Sequence, residues 1–98
     1  MNELTLLKCI SDETRLHILG LIKDKELSVN DLVTKLKKDQ PLISHHLRAL
    51  RNCGIIKARE SGKKTMYTIS NKEVSRLISD IESASKKIVF MCNDSCCC

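Results

Sequence analysis

The spacing of the apolar residues changes at Gly54, and this change limits the folds open to the chain. Before Gly54, apolar residues recur every three or four positions, as Ile43, Leu47 and Leu50 do, which is typical of helices that bury one face. Over residues 56–69 they alternate instead with polar residues, which is typical of strands. The sequence therefore predicts an α+β fold that is mainly α, with a small β-hairpin after the fourth helix.

Five helices are predicted, and most of them have a recognisable start. The first follows from the apolar spacing of residues 4–10, and residues 11–12 can cap the second. Residues 28–31 and 70–73 each place a serine three positions before an acidic residue, which is the pattern of a capping box. We expect these boxes to begin the third and fifth helices. Pro41 suits the first turn of the fourth helix, where its missing N–H costs nothing.

The order of these elements predicts a winged helix-turn-helix. A short polar link joins the third and fourth helices, and the fourth keeps polar side chains on its outer face. The hairpin that follows turns at residues 61–64 and carries two lysines at its tip, so it forms the wing. The chain is small, and the fifth helix has a long apolar stripe that reaches Ile88. We therefore expect two copies to associate as a dimer.

Positive charge is concentrated in the middle of the chain. Residues 35–64 hold nine Lys or Arg against two acidic residues, a net charge of +7, within a chain whose net charge is +5. Such a cluster is typical of a surface that binds the phosphates of nucleic acid. Charge alone leaves an ordinary solvated basic face as the alternative.

Two sets of residues are predicted to contact double-stranded DNA. A helix in the major groove presents side chains to base edges, while flanking Lys and Arg side chains neutralise phosphates. The residues predicted to face the groove are Gln40, Ser44, His45 and Arg48. Those predicted to hold the backbone from the wing are Arg59, Lys63 and Lys64. We expect His46 to be a packed or capping histidine and His17 to be a half-buried structural histidine. With no nucleophile–base pair or phosphate loop in the sequence, we expect no enzyme.

The cysteines are unevenly placed. No signal peptide or membrane-spanning stretch is evident, which predicts a cytoplasmic protein, and disulfide frameworks are uncommon in that compartment. Four of the six cysteines lie in the last seven residues, where they cannot hold a fold together. We therefore divide the chain into a winged helix-turn-helix DNA-binding and dimerisation domain, 1–90, and a cysteine-rich tail, 91–98. The tail is expected to bind metal or to undergo redox chemistry, whereas Cys9 and Cys53 by default are small buried apolar residues.

Three segments resemble the ArsR/SmtB family of winged-helix repressors. Residues 10–19 (ISDETRLHIL) are similar to the signature of the second helix in that family. Residues 40–56 (QPLISHHLRALRNCGII) are similar to the recognition helix and residues 62–69 (GKKTMYTI) to the wing. The resemblance implies a homodimer, joined through its first and last helices, that represses transcription from operator DNA until an effector binds.

The resemblance also excludes two of the family's effector sites. Arsenic sensors of the best-known type carry Cys-x-Cys-x-x-Cys in the third helix, where this chain has Ser28, Asn30 and Val33. Zinc and cobalt sensors use Asp and His on the last helix, and residues 71–90 contain no His. The family's remaining effector sites are built from cysteines elsewhere in the chain.

Cys53 matches a ligand position of the cadmium- and lead-sensing members, although their second recognition-helix cysteine falls on Ala49 here. Those members complete the site with a cysteine of the tail, and other members bind arsenic wholly within the tail. The predicted ligands are Cys53, Cys92, Cys96, Cys97 and Cys98. Because thiolates select soft ions, the expected effector is As(III), Cd(II), Pb(II) or Zn(II).

Three alternatives stay open at this point. The repressor could respond to thiol oxidation or persulfides instead of a metal, since exposed thiols oxidise readily. The tail could hold a structural zinc ion or an iron–sulfur cluster. The chain could also be a small metal-binding protein without regulatory DNA binding.

Overall fold

The computed structural model describes residues 1–88, which form helices and a small sheet in the predicted order. The elements are α1 (Glu3–Ile10), α2 (Glu13–Ile22), β1 (Leu27–Ser28), α3 (Val29–Leu36), α4 (Gln40–Asn52), β2 (Ile56–Ser61), β3 (Lys64–Ile69) and α5 (Lys72–Lys87). The mainly α winged fold is thus confirmed. The tail 91–98, with the predicted ligands Cys92, Cys96, Cys97 and Cys98, lies outside the described residues.

Side chains cap the starts of α2 and α3 as the sequence predicts. Asp12 accepts a hydrogen bond from the backbone N–H of Arg15 at 3.1 Å. At the start of α3, Ser28 Oγ accepts from the N–H of Asp31 at 3.2 Å, and Asp31 Oδ2 accepts from the N–H of Ser28 at 3.0 Å. This reciprocal pair confirms the capping box at 28–31.

The second capping box, predicted at 70–73, is wrong. Asn71 is the N-cap of α5, and its side chain accepts from the N–H of Val74 at 2.9 Å. Ser70 Oγ instead donates toward the carbonyl oxygens of Gly54 and Ile55, at 2.7 and 2.9 Å. Asn caps a helix as well as Ser does, so the local pattern could not distinguish two adjacent candidates. The contact that decides between them is made to a segment 15 residues away.

The sheet has one strand more than the predicted hairpin. Its order is β1-β3-β2, all antiparallel, with Leu27 of β1 opposite Tyr67 of β3. The sequence did not predict β1, because two residues are too few to show the alternation of a strand. In addition, Ser28 belongs to the capping pattern that predicts the start of a helix. The predicted turn is present at Gly62, whose φ of +64° is a conformation that favours glycine.

Four helices supply the most completely buried side chains, which are Ile18, Leu19, Ile22, Leu32, Ile43, Leu47, Leu50 and Ile78. Three of these come from α4, and they are the three predicted to face inward. Gly54 follows the C-cap residue of this helix with a φ of +79°, a conformation that favours glycine and ends the helix. Because α4 is anchored along its whole inner face, its outer face is held in a fixed orientation. Among residues 1–88, no helix is both long and apolar enough to cross a membrane.

Candidate DNA-binding interface

The outer face of α4 lines a polar groove. Ser44 and Arg48 lie one turn apart on it, and Arg51 follows one turn later. These three border a groove of about 400 Å³, together with Leu47, Asn52 and Tyr67. Arg48 and Arg51 are exposed. Two guanidinium groups and a hydroxyl therefore line one open surface of the recognition helix.

The wing forms a second groove beside the start of α4. Lys63 and Lys64 lie across it from Gln40, and the groove has a volume of about 240 Å³. Its other lining residues are Ser28, Val29, Asn30, Thr65 and Tyr67. Since Tyr67 also lines the groove along α4, the two grooves are neighbours on one surface, which we call the basic surface. Five of the seven predicted DNA contacts lie on it.

The other two predicted contacts, His45 and Arg59, line neither groove. His45 is exposed, and its ring lies edge-on to that of His46 with the centroids 5.2 Å apart. Arg59 forms a two-pronged ion pair with Glu26, donating from Nε at 2.9 Å and from Nη2 at 2.7 Å. Hydrogen bonding to Arg59 holds the pKa of the Glu26 carboxyl below its usual value. The positive charge of Arg59 is therefore partly neutralised within the chain.

Arg51, Asn52 and Tyr67 also line the groove along α4, although none of them was predicted from the sequence. Arg51 had a usable signal, because it lies seven residues after Ser44 and so returns to the same helix face. No signal in the sequence marks Tyr67, because β3 comes next to α4 only when the chain folds.

His46 connects α4 to the preceding helices through a partly buried polar network. Arg15 donates from Nε to His46 Nδ1 at 3.1 Å and from Nη1 to the carbonyl oxygen of Cys9, also at 3.1 Å. The other ring nitrogen of His46 lies 3.8 Å from Asp12 Oδ2. Burial lowers the pKa of His46, and although Asp12 opposes this shift, Arg15 reinforces it. His46 is thus the packed structural histidine that the sequence predicts.

The two cysteines of residues 1–88 are joined to each other. Cys9, in the last turn of α1, forms a disulfide with Cys53, the C-cap residue of α4, and their Cα atoms are 6.9 Å apart. Both were expected as separate small apolar residues, and Cys53 also as a metal ligand. Their separation of 44 residues gives no sequence signal for pairing. Within 1–88, no cluster of three or more His, Cys, Asp or Glu side chains is placed to hold a metal ion.

An apolar face is exposed on the side of α1 and α5. Leu4 and Leu7 are 60% and 52% exposed. Next to them, Leu16 and Ile81 border two adjoining hollows between α1, α2 and α5. His17 borders one hollow and is exposed, so the expectation that it is half-buried is wrong for a single chain. A second copy would have to cover this face to bury it.

A helix-turn-helix followed by a basic wing defines the class of winged helix-turn-helix proteins. Residues 12–58 match the profile of a bacterial regulatory protein, arsR family. The chain is also 40% identical over 73 residues to the transcriptional activator HlyU of Vibrio cholerae, covering 74% of this chain and 68% of HlyU. It is 31% identical to an arsenical resistance operon repressor of Staphylococcus aureus, over 96% of this chain and 86% of that protein. The chain belongs to the ArsR family of regulatory proteins.

Solved structures agree with this assignment. Reduced HlyU from V. cholerae superposes with a TM-score of 0.78 at 36% identity, covering 83% of this chain and 85% of that one. The homodimeric winged helix-turn-helix DNA-binding domain of Mb0332 from Mycobacterium bovis gives 0.76 at 28% identity, covering 82% and 74%. HlyU and the arsenical resistance operon repressor are transcriptional regulators and not enzymes, which confirms the corresponding expectation.

Proposed function

We propose that the chain is a transcriptional repressor that binds a specific operator in double-stranded DNA. The observation that carries this proposal is the basic surface, where the groove lined by Ser44 and Arg48 of the anchored helix α4 adjoins the groove lined by the wing lysines. A surface of this kind can read base edges with one element and neutralise phosphates with the other.

The predicted contacts divide between two roles in this proposal. The residues of α4 that enter the major groove are Gln40, Ser44, His45 and Arg48, and those that contact the backbone are Arg59, Lys63 and Lys64. Before Arg59 can bind a phosphate, its guanidinium has to break its hydrogen bonds to Glu26 or give up one of them. We add Arg51 to the set, because its exposed guanidinium borders the same groove as Arg48.

The active form is proposed to be a homodimer in the cytoplasm. The exposed leucines of α1 and the hollows beside α5 supply an apolar face that a second copy would bury. The homodimeric Mb0332 domain, which has the same fold, supports this arrangement. A two-fold dimer presents two recognition helices, so we expect an operator with two half-sites about one helical turn apart.

The regulatory role is tested by selecting bound duplexes from a random library with the reduced protein. The selected site is then placed over a promoter in a purified transcription system. We expect the protein to lower transcript yield from that promoter and not from one carrying a scrambled site. The relative HlyU is an activator, and a raised yield would overturn repression in favour of activation. Failure to select any sequence would favour the metal-binding protein without regulatory DNA binding.

The effector is proposed to be a thiophilic ion, As(III), Cd(II), Pb(II) or Zn(II), that releases the repressor. Its ligands would come from Cys92, Cys96, Cys97 and Cys98 of the tail 91–98, attached to the DNA-binding and dimerisation domain 1–90, with Cys53 as a further ligand. The likeness to an arsenical resistance operon repressor supports this choice. Cys53 can donate a thiolate only after its bond to Cys9 is reduced.

Equilibrium dialysis of the reduced full-length protein against each ion measures the binding part of this proposal. We compare it with a tail-serine variant, in which the four cysteines at positions 92, 96, 97 and 98 are changed to Ser. We expect the tail-serine variant to lose tight binding of at least one ion, with affinity rising with pH because thiols release protons on binding. Equal binding by both proteins would refute a tail site.

A thiol-redox repressor is the second candidate, and the Cys9–Cys53 disulfide favours it. A hydroperoxide would take two electrons from the two thiols, forming the disulfide and leaving an alcohol and water. The bond ties α1, which carries the apolar face, to the end of the recognition helix α4. Oxidation then shifts the balance toward whichever of the DNA-binding and released forms better accommodates the bond.

The two candidates are separated by adding hydroperoxide to the metal-free protein on its selected operator. A change in DNA affinity that is reversed by dithiothreitol and absent in Cys9→Ser would support the redox candidate. An unchanged affinity, with the disulfide verified by mass, would exclude it.

A further inference from the structure

The recognition helix α4 exposes one large apolar side chain among its polar ones. Leu42, the third residue of the helix, is 39% exposed, although Ile43 beside it is completely buried. The other large apolar side chains exposed within residues 1–88 lie in α1 or next to α1 or α5 in sequence, and they are Met1, Leu4, Leu7 and Ile88. The face of α1 and α5 that a second copy would bury contains or adjoins those four residues, whereas Leu42 belongs to the recognition helix.

Leu42 lies in the part of α4 that is closest to the bases in the proposed complex. In helix-turn-helix complexes, the N-terminal residues of the recognition helix contact base edges. Leu42 shares a flank of α4 with His45, which follows one residue short of a full turn, and neither residue lines the two grooves of the basic surface. Because a helix about 10–12 Å across fills a major groove about 12 Å wide, both flanks of α4 come close to the DNA.

The side chain of Leu42 can neither donate nor accept a hydrogen bond. The base edges in the major groove present donors, acceptors and a single kind of apolar group, which is the C5-methyl of thymine. Contact with that methyl removes apolar surface of both partners from water, which is favourable. Contact with any other base edge would cover a donor or an acceptor without giving it a partner, which costs free energy. The chemistry of Leu42 therefore selects thymine.

We propose that Leu42 is a specificity-determining residue that contacts the C5-methyl group of a thymine in each half-site of the operator. This inference rests on the proposed function, since it requires α4 to enter the major groove. It adds an apolar contact to the polar contacts proposed for Ser44 and Arg48. It depends neither on the effector nor on whether the bound protein represses or activates.

The test replaces thymines of the selected operator with deoxyuridine, which pairs with adenine in the same way and lacks only the C5-methyl group. Each thymine position of the half-site is replaced in turn, in both half-sites together, and fluorescence anisotropy of the reduced full-length protein gives the Kd. Losing one buried methyl contact weakens binding about fourfold, and losing it in both half-sites about 15-fold. We expect a loss of this size at one thymine position in the parent. At that position, Leu42→Ala should bind the thymine and deoxyuridine operators equally.

Leu42→Met is the matched control, because methionine keeps an apolar side chain of similar volume. It should retain the preference for thymine that Leu42→Ala loses. Circular dichroism verifies that both variants fold, as is expected for an exposed helix position filled by a strong helix former. The proposal is overturned if no deoxyuridine substitution weakens binding by the parent, or if every such loss persists in Leu42→Ala. Preference of the parent for the unmodified operator over a scrambled duplex would, in that event, leave the proposed function standing.

Discussion

Replacing Arg48 with alanine should weaken binding to the operator far more than binding to unrelated DNA. Arg48 is exposed in the groove along α4, and among residues 1–88 no acidic side chain forms an ion pair with it. It can therefore contact a base without first breaking an internal contact. Arg59 differs in this respect, because it is bound to Glu26.

The size of the effect follows from the number of contacts. An Arg that donates two hydrogen bonds to a base contributes about 1–3 kcal/mol of discrimination. A dimer makes this contact in two half-sites, so the loss on the operator is about 2–6 kcal/mol if the half-sites add. The lower figure corresponds to a roughly 30-fold weaker Kd. On unrelated DNA, we expect only the small loss of one positive charge per chain.

Fluorescence anisotropy on the selected operator and on a scrambled duplex, at several salt concentrations, measures both losses. Arg76→Ala is the matched control, because Arg76 is an exposed arginine of α5 that lines neither groove. It removes the same charge and should leave the preference for the operator unchanged. Equal losses on the two duplexes for Arg48→Ala, with a salt slope reduced by about 0.9 per contact, would make Arg48 a phosphate contact and exclude it as a base contact.

Three further predictions concern pH, charge and assembly. Burial lowers the pKa of His46, so the unfolded chain binds a proton at this histidine more readily than the folded chain does. The free energy of unfolding should therefore fall as the pH drops below about 6.5. Urea unfolding at pH 7 and 5.5 should show this loss in the parent and in the exposed-site control His17→Gln, but not in His46→Gln; an equal loss in all three would contradict it. Glu26→Gln should strengthen binding to unrelated DNA at low salt and do so less in the Arg59→Ala background; equal gains by anisotropy in both backgrounds would exclude Arg59 as a contact. Leu7→Glu should convert dimers to monomers in sedimentation equilibrium, whereas an unchanged mass would remove α1 from the interface.

The sequence was sufficient where a feature depends on neighbouring residues. The inward face of α4 follows from the spacing of Ile43, Leu47 and Leu50, and the capping box at 28–31 from two residues three apart. The polar positions left outside by that spacing include Ser44 and Arg48, which the structure places together in one groove. Helical periodicity alone is enough to make these predictions.

The sequence was insufficient where a feature depends on residues that folding brings together. The ion pair of Glu26 with Arg59 joins residues 33 apart, and the disulfide joins residues 44 apart. The place of Tyr67 beside α4 and the choice of Asn71 over Ser70 as a cap depend on the packing of the sheet against that helix. The ion pair changes the charge of the predicted site residue Arg59, and the disulfide changes the chemistry of Cys53. None of the four features leaves a local pattern in the sequence.

Ion-induced release from DNA is the central property of the proposed repressor and can be measured directly. The reduced full-length protein, bound to its selected operator, is titrated with As(III), Cd(II), Pb(II) and Zn(II) while anisotropy reports the bound fraction. The tail-serine variant is titrated in parallel. We predict that at least one ion releases the intact protein at concentrations that leave the tail-serine variant bound. Release of both proteins at the same concentration, or of neither by any ion, would contradict it.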